Sequence, residues 1–240
     1  MKESVFMFKD FIFTLNSLKN AIKEKESYTL LLGESGVGKT TILRILAKFL
    51  DKSKYQLLYI SYGQATPTDF IRFLAQHFHI PTRNSRIETS KRILQTIKNY
   101  PQHIIIFFDE AHYISSNTFN EIRLLLESDL ENPSLFSVFF SGLPNLKDRL
   151  KSPDLVPLWR RIFTKINLRG LTIEEVRPFL QHCFSKEKLN KISDEICKQI
   201  FEQSCGIPGI LIFYTQKLLN SFPNINITKD HIFEIIENEE

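Results

Sequence analysis

The sequence predicts an α/β fold: a parallel sheet with helices on both faces, followed by a small all-helical domain. Three observations predict it. Strand-length apolar runs alternate with helical patterns through about the first 170 residues, the order that βαβ units produce. One run, His103–Phe108, is continuously apolar after its first residue, as a central strand buried on both faces must be. From Leu171 to Glu240 the patterns are helical only.

Taken in order, residues 3–24 read as one or two helices, with Leu15, Leu18 and Ile22 at helical spacing. Tyr28–Leu32 is a short apolar strand ending on Gly33, and Thr41–Leu50 continues from the glycine loop as a helix. Tyr55–Ser61 is a second strand; Pro67-Thr68 opens a helix reaching His77, and another spans about Ile87–Lys98. After the His103–Phe108 strand come a helix at about Asn117–Glu127 and a strand over Leu135–Ser141. Thr172-Ile-Glu-Glu175 has the spacing of a capping box. Helices follow at about 173–184, 193–204, 208–221 and 229–238, with Ser193 and Thr228 as N-caps for two of them. The expected division is an α/β core with N-terminal helices over 1–170 and a helical lid over 171–240.

Apolar residues make up 42% of the 240, enough for one α/β core and a small appendage. The 21 phenylalanines are expected to be core packing. A net charge of +4 is compatible with a nucleic-acid partner without requiring one. Cys183, Cys197 and Cys205 have neither a C-x-x-C pair nor zinc-like spacing, so they are expected to be reduced and buried. The apolar run Phe6–Phe13 is interrupted by Lys9 and Asp10, unlike a signal peptide, and no stretch reaches the ~20 apolar residues of a membrane span. A cytoplasmic protein is expected.

Gly33-Glu34-Ser35-Gly36-Val37-Gly38-Lys39-Thr40 matches G-x-x-x-x-G-K-[ST] between a strand and a helix, the pattern of a P-loop. Its glycines let backbone amides turn inward around phosphate oxygens. Lys39 brings a positive charge to the β- and γ-phosphates, Thr40 offers its hydroxyl to Mg2+, and Thr41 belongs to the same helix N-terminus, whose dipole favours an anion. At the end of the central strand, Asp109 is placed to hold Mg2+ and Glu110 to orient and deprotonate the attacking water. ATP and Mg2+ are therefore the expected ligands, and ATP hydrolysis the expected reaction.

A whole strand, Tyr55–Ser61, lies between the P-loop strand and the Asp109 strand. That order suits P-loop enzymes with an inserted strand and fits small GTPases and nucleotide kinases poorly. No Asn-Lys-x-Asp guanine reader is present. Asp109-Glu110-Ala111-His112 spells the box of some helicases, but the residues after Ser141 leave no room for a second motor domain. His112 reads either as a contact to the γ-phosphate region or as an ordinary residue of a helix start.

Together with Glu121-Ile-Arg-Leu-Leu-Leu126, Gly142-Leu-Pro-Asn-Leu146, Arg161-Ile162 and Leu171-Thr-Ile-Glu-Glu175, these motifs resemble the AAA+ superfamily. Within it, the chain is similar to the group of transposition-regulator ATPases (Mu B, TniB and TnsC types) and secretion-pathway protein A ATPases. The resemblance covers residue 28 to about 210 and implies a three-layer AAA+ sandwich followed by a helical lid. It also implies that Ser141 senses the γ-phosphate and that Arg161 enters a neighbouring subunit's site as a finger, with Arg160 as the adjacent competitor. The group often carries Gly-x-Pro-Arg in the lid, whereas this chain has Gly206-Ile-Pro-Gly209.

Two partner classes follow from the resemblance. One is a DNA-transposition accessory ATPase that forms a ring or filament with itself on duplex DNA and recruits a transposase. Arg83, Arg86, Lys91 and Arg92 are then candidate phosphate contacts, a solvated helix face being the alternative reading. The other is an assembly ATPase of a secretion, pilus or DNA-uptake system with a protein partner. A non-catalytic module locked by ATP is a third class, opposed by the presence of Glu110 and Arg161.

Overall fold

The structure, a computed structural model, describes residues 5–61, 66–82, 85–127, 136–223 and 225–237. Helix α1 (Lys9–Lys23) leads into β1 (Tyr28–Leu32), the P-loop and α2 (Lys39–Phe49). Then come β2 (Tyr55–Ile60), α3 (Pro67–His77), α4 (Arg86–Lys98) and β3 (His103–Phe108). A 3-10 turn at Ala111–Tyr113 precedes α5 (Ser116–Glu127) and β4 (Phe136–Gly142). Two short helices, α6 (Leu146–Leu150) and α7 (Val156–Trp159), lead to β5 (Thr164–Asn167). The remainder is helical: α8 (Ile173–Cys183), α9 (Lys186–Leu189), α10 (Asp194–Ser204), α11 (Pro208–Ser221) and α12 (Lys229–Glu237).

The five strands form one parallel sheet in the order β2-β3-β4-β1-β5. The burial of each strand follows its place. All of β1 and β4 is buried, as is β3 after its first residue. Edge strand β5 buries only Ile166, which is why its Thr-Lys-Ile-Asn sequence carries too little apolar signal to be read as a strand. Strands β3 and β4 pair Phe107 with Phe139 and Phe108 with Phe140. Their rings meet at 5.0 and 5.6 Å, and Phe119 and Phe70 close on the second pair from α5 and α3. Much of the phenylalanine content is thus core, each buried ring contributing about 1.5–3 kcal/mol of transfer free energy.

Local caps account for several helix starts. Thr66 opens α3 by accepting from the Asp69 amide at 3.2 Å, while Asp69 accepts from the Thr66 amide at 3.1 Å. At α8, Glu175 accepts from the Thr172 amide at 2.9 Å, and at α10 the Ser193 hydroxyl accepts from Ile196 N at 3.3 Å. The Thr228 amide donates to His231 Nδ1.

Two compact units emerge. One comprises Leu15–Gly33 and Lys39–Asn167, the sheet and its covering helices. The other joins the N-terminal segment through Thr14 and the loop Glu34–Gly38 to Leu168 and beyond. In this second unit Phe6 packs edge-on to Phe179, Glu175 accepts from the Lys9 amide at 2.8 Å, and Asp10 accepts from the Arg169 amide at 2.6 Å. The cysteines are free, but only Cys197 is buried; Cys183, the last residue of α8, and Cys205, which caps the end of α10, are exposed, contrary to expectation. Helices α6, α7 and α9 were also not foreseen, since one turn of chain is too short for a periodic signal.

Candidate functional site

Parallel strands deliver their C-terminal ends to one side of a sheet, and those ends carry the predicted residues. Gly33 follows β1 and its amide donates to Gly142 O at 3.2 Å, tying the P-loop start to the end of β4. Glu34, Ser35 and Gly36 are exposed in the loop, and Val37 is its buried anchor. Gly36 and Gly38 take φ of +78° and +113°, the region that favours glycine. Gly36 O accepts from the Gly209 amide at 3.0 Å, within the unit that these loop residues share with the helical region. A β-carbon at position 209 would stand 3.1 Å from Gly36 Cα and 3.2 Å from its carbonyl oxygen. The Gly209 that departs from the family pattern therefore permits a backbone-to-backbone approach.

Helix α2 begins at Lys39, two residues earlier than expected, so Lys39, Thr40 and Thr41 all lie in its first turn. Lys39 is buried and donates from Nζ to Gly33 O at 2.8 Å. The Thr40 hydroxyl donates to Asp109 Oδ2 at 2.8 Å. Asp109, buried at the end of β3, also accepts from the Glu110 amide through Oδ1 at 3.0 Å and from the Tyr59 hydroxyl through Oδ2 at 2.7 Å. Burial, and then the hydrogen bond to Asp109, push the Tyr59 hydroxyl up to about 12, so it remains a donor at neutral pH.

Glu110 adopts φ 52° and ψ 38°, left-handed backbone that a non-glycine residue takes at a cost of order 1 kcal/mol. Its carboxylate is 45% exposed, reachable by water. One residue beyond the Phe108–Phe140 pair, Ser141 is the next-to-last residue of β4, its buried Oγ without a hydrogen-bond partner in the structure. A buried hydroxyl of this kind is costly and suits a site that a ligand completes.

The chemistry of the Thr40–Asp109 pair fits a magnesium ion: one hydroxyl and one carboxylate, both hard oxygen donors that leave further positions to water and phosphate. Among the described residues no group of three or more His, Cys, Asp or Glu is placed to hold a different metal.

Lys39, Thr40, Asp109, Glu110 and Ser141 thus lie at the same ends of neighbouring strands, whereas Arg161 does not join them. Arg161 follows α7, where its Nε pairs with Glu127 Oε1 at 2.9 Å and its Nη1 donates to Pro157 O at 3.1 Å. Arg160 is exposed. Of the candidate phosphate contacts, Arg86 pairs with Glu121 at 3.6 Å, Arg92 pairs with Glu88 at 2.9 Å, Lys91 is exposed, and Arg83 lies outside the described residues. Sequence reasoning missed Tyr59, whose only signal was a polar-tipped aromatic one residue before the end of an edge strand.

A family model described as an AAA domain matches residues 22–150, more than half of the chain. The general secretion pathway protein A of Aeromonas hydrophila is 24% identical over 174 residues, covering 70% of this chain and 31% of that protein. The chain therefore spans about a third of that relative's length. The crystal structure of Cdc6p from Pyrobaculum aerophilum matches with a TM-score of 0.67 and 15% identity, covering 93% of this chain and 65% of that one. The Aeropyrum pernix ORC1 protein, solved in complex with DNA, matches with a TM-score of 0.64 and 14% identity, covering 96% and 64%. At these identities the solved structures establish the fold. Among the described residues no helix is long and apolar enough to cross a membrane.

Proposed function

This chain belongs to the AAA+ ATPase family, and from that premise we propose that it binds ATP with Mg2+ and hydrolyses it with Glu110 as the base. The observation that carries the reading is the 2.8 Å hydrogen bond from Thr40 to Asp109. It joins the start of α2 to the end of β3 and leaves Glu110 next in the chain, with its carboxylate open to water.

Gly33 to Thr41 bind the phosphates through backbone amides, and Lys39 exchanges the Gly33 carbonyl for phosphate oxygens. Thr40 and Asp109 would hold Mg2+, which when bound would offset negative charge on the phosphates. Glu110 orients a water and takes its proton as the water oxygen bonds to the γ-phosphorus. The bond from phosphorus to the β–γ bridging oxygen breaks, leaving ADP and phosphate. Ser141 donates to a γ-phosphate oxygen. Arg161, supplied by a neighbouring copy, stabilises transition-state charge, a contribution of order 10³–10⁵ in rate where such fingers are best developed.

For the partner, we read the protein as an ATPase that oligomerises on duplex DNA as an accessory to transposition and recruits a transposase. The net charge of +4 and the motif combination around Asp109, Gly142 and Arg161 support this reading. A second reading, an assembly ATPase of a secretion, pilus or DNA-uptake system, is favoured by the 24% identity to a secretion-pathway protein. That comparison makes a protein partner a serious competitor to DNA.

Two measurements test these readings. Lys39→Ala should abolish nucleotide binding, while Glu110→Gln should keep binding and lose at least about a hundredfold in turnover. Wild-type turnover in Glu110→Gln would remove Glu110 as the base. Sizing the protein with a slowly hydrolysed ATP analogue, with and without duplex DNA, then separates the partners. Assembly on DNA that weakens steeply with salt supports the transposition reading. Nucleotide-driven assembly indifferent to DNA favours the protein-partner reading.

A further inference from the structure

His112 follows the proposed base by two residues, and its side chain is 6% exposed. Its backbone is held from one side by Arg149 of α6, which donates to the carbonyl of His112 and, at 2.6 Å, to that of Ile114. From the other side the end of β4 presses against it. A β-carbon on Gly142 would stand 3.2 Å from His112 N, 3.5 Å from Nδ1 and 2.9 Å from Leu146 Cδ2, so glycine is what lets that strand end approach the ring.

Held there, His112 Nδ1 lies 3.3 Å from Glu110 Oε2 and 3.4 Å from Leu143 N. These two neighbours ask opposite things of one atom. Ionised Glu110 can only accept, so it needs a proton on Nδ1. The Leu143 N–H can only donate, so it needs Nδ1 bare. A neutral imidazole satisfies one of them at a time. The choice couples two parts of the site, because Leu143 lies two residues after Ser141, the buried hydroxyl with no partner in the structure.

We propose that His112 is a positioning residue that switches the base on and off by where its ring carries its single proton. With the proton on Nδ1, the ring donates to Glu110. That contact holds Glu110 Oε2 against the ring, and the carboxylate is kept from orienting the attacking water. When the β4 end is drawn onto a γ-phosphate through Ser141, the Leu143 N–H takes the Nδ1 lone pair. The ring proton then sits on Nε2, having exchanged through water with no net gain or loss. Glu110 is released to the attacking water. The switch rests on the reading of Glu110 as the base and adds to it a coupling from the γ-phosphate.

The test combines kinetics and ring spectroscopy on the full chain. His112→Ala should raise the turnover of the protein alone on the order of tenfold, the effect of losing one hydrogen bond to a charged group. KM and ADP affinity should stay within about twofold, since the ring makes no proposed contact to nucleotide. The gain must vanish in the double variant Glu110→Gln, His112→Ala. In case His112→Ala folds poorly, ¹⁵N-histidine spectra of the wild type give the ring tautomer directly. The resonances lost in His112→Asn identify His112 among the six histidines. The expected result is Nδ1 protonated in the nucleotide-free protein and Nε2 protonated with Mg2+ and a non-hydrolysed ATP analogue. The same tautomer in both states, or unchanged or lower turnover in a folded His112→Ala, overturns the switch. A wild type that neither binds nor hydrolyses ATP is a different outcome, defeating the ATPase reading and the switch with it.

Discussion

At Asp109, three donors converge on one buried carboxylate: the Glu110 amide on Oδ1, and the Thr40 and Tyr59 hydroxyls together on Oδ2. The aspartate and threonine are legible from the sequence because their motifs are local. The tyrosine is not, because it reaches the site across the pairing of β2 with β3, which places Tyr59 beside Phe107. For the same reason the His112–Leu143 contact could not be read from a four-letter motif: the partner lies 31 residues away, just past the end of β4. Tyr59 orients the acid that would hold magnesium, so its removal should be felt through the metal. Tyr59→Phe is expected to raise the Mg2+ concentration for half-maximal ATPase activity about tenfold, the lower end for losing such a supporting partner. ADP binding measured in excess chelator should be unchanged. An unaltered Mg2+ titration would make the tyrosine hydroxyl a bystander.

Among the elements, legibility follows burial and length. The His103–Phe108 strand was read to the residue because both faces are buried and every position after the first is apolar. Strand β5 was missed because it buries one residue, and α6, α7 and α9 because four or five residues carry no period. The start of α11 is a different case. The departure at Gly209 was visible as a missing arginine, but its consequence needed the fold, where Gly209 meets the Gly36 backbone. Restoring the family's residue should therefore harm this protein. Gly209→Ala is expected to cost about 1–3 kcal/mol through overpacking against a backbone that has little room to yield. Gly209→Arg should cost at least as much and should weaken nucleotide affinity through Gly36. Thermal unfolding and ADP titration check both; a Gly209→Arg protein with raised stability and tighter binding would mean that the arginine site persists and that the glycine contact is incidental.

For the whole molecule, the finger role proposed for Arg161 would make one copy catalytically incomplete. The nucleotide residues gather where the parallel strands end, around Gly33, Asp109 and Ser141. Arg161 pairs instead with Glu127 and lies three residues before Thr164 of β5, which pairs with Thr29 near the start of β1. At about 3.3 Å per residue, the length of β1 alone separates these two ends by well over the reach of an arginine side chain. An arginine that serves catalysis from there must serve a second copy, and it must first leave Glu127, an exchange that binding of the neighbour would have to drive. Head-to-tail contacts of this kind build rings or filaments. Arg161→Ala keeps an intact P-loop but lends no finger, whereas Lys39→Ala lends a finger but binds no nucleotide. Each alone should be nearly inactive. In an equal mixture that assembles at random, about a quarter of interfaces pair an intact site with an intact finger, so about a quarter of wild-type activity should return. Co-assembly is checked by tagging one variant and recovering the other with it. If the two co-assemble and no activity returns at any ratio, the finger is not Arg161, and its pairing with Glu127 is structural. If Arg160→Ala then complements in its place, the adjacent arginine holds the role, and its exposed position, free of the Glu127 ion pair, supplies the reason.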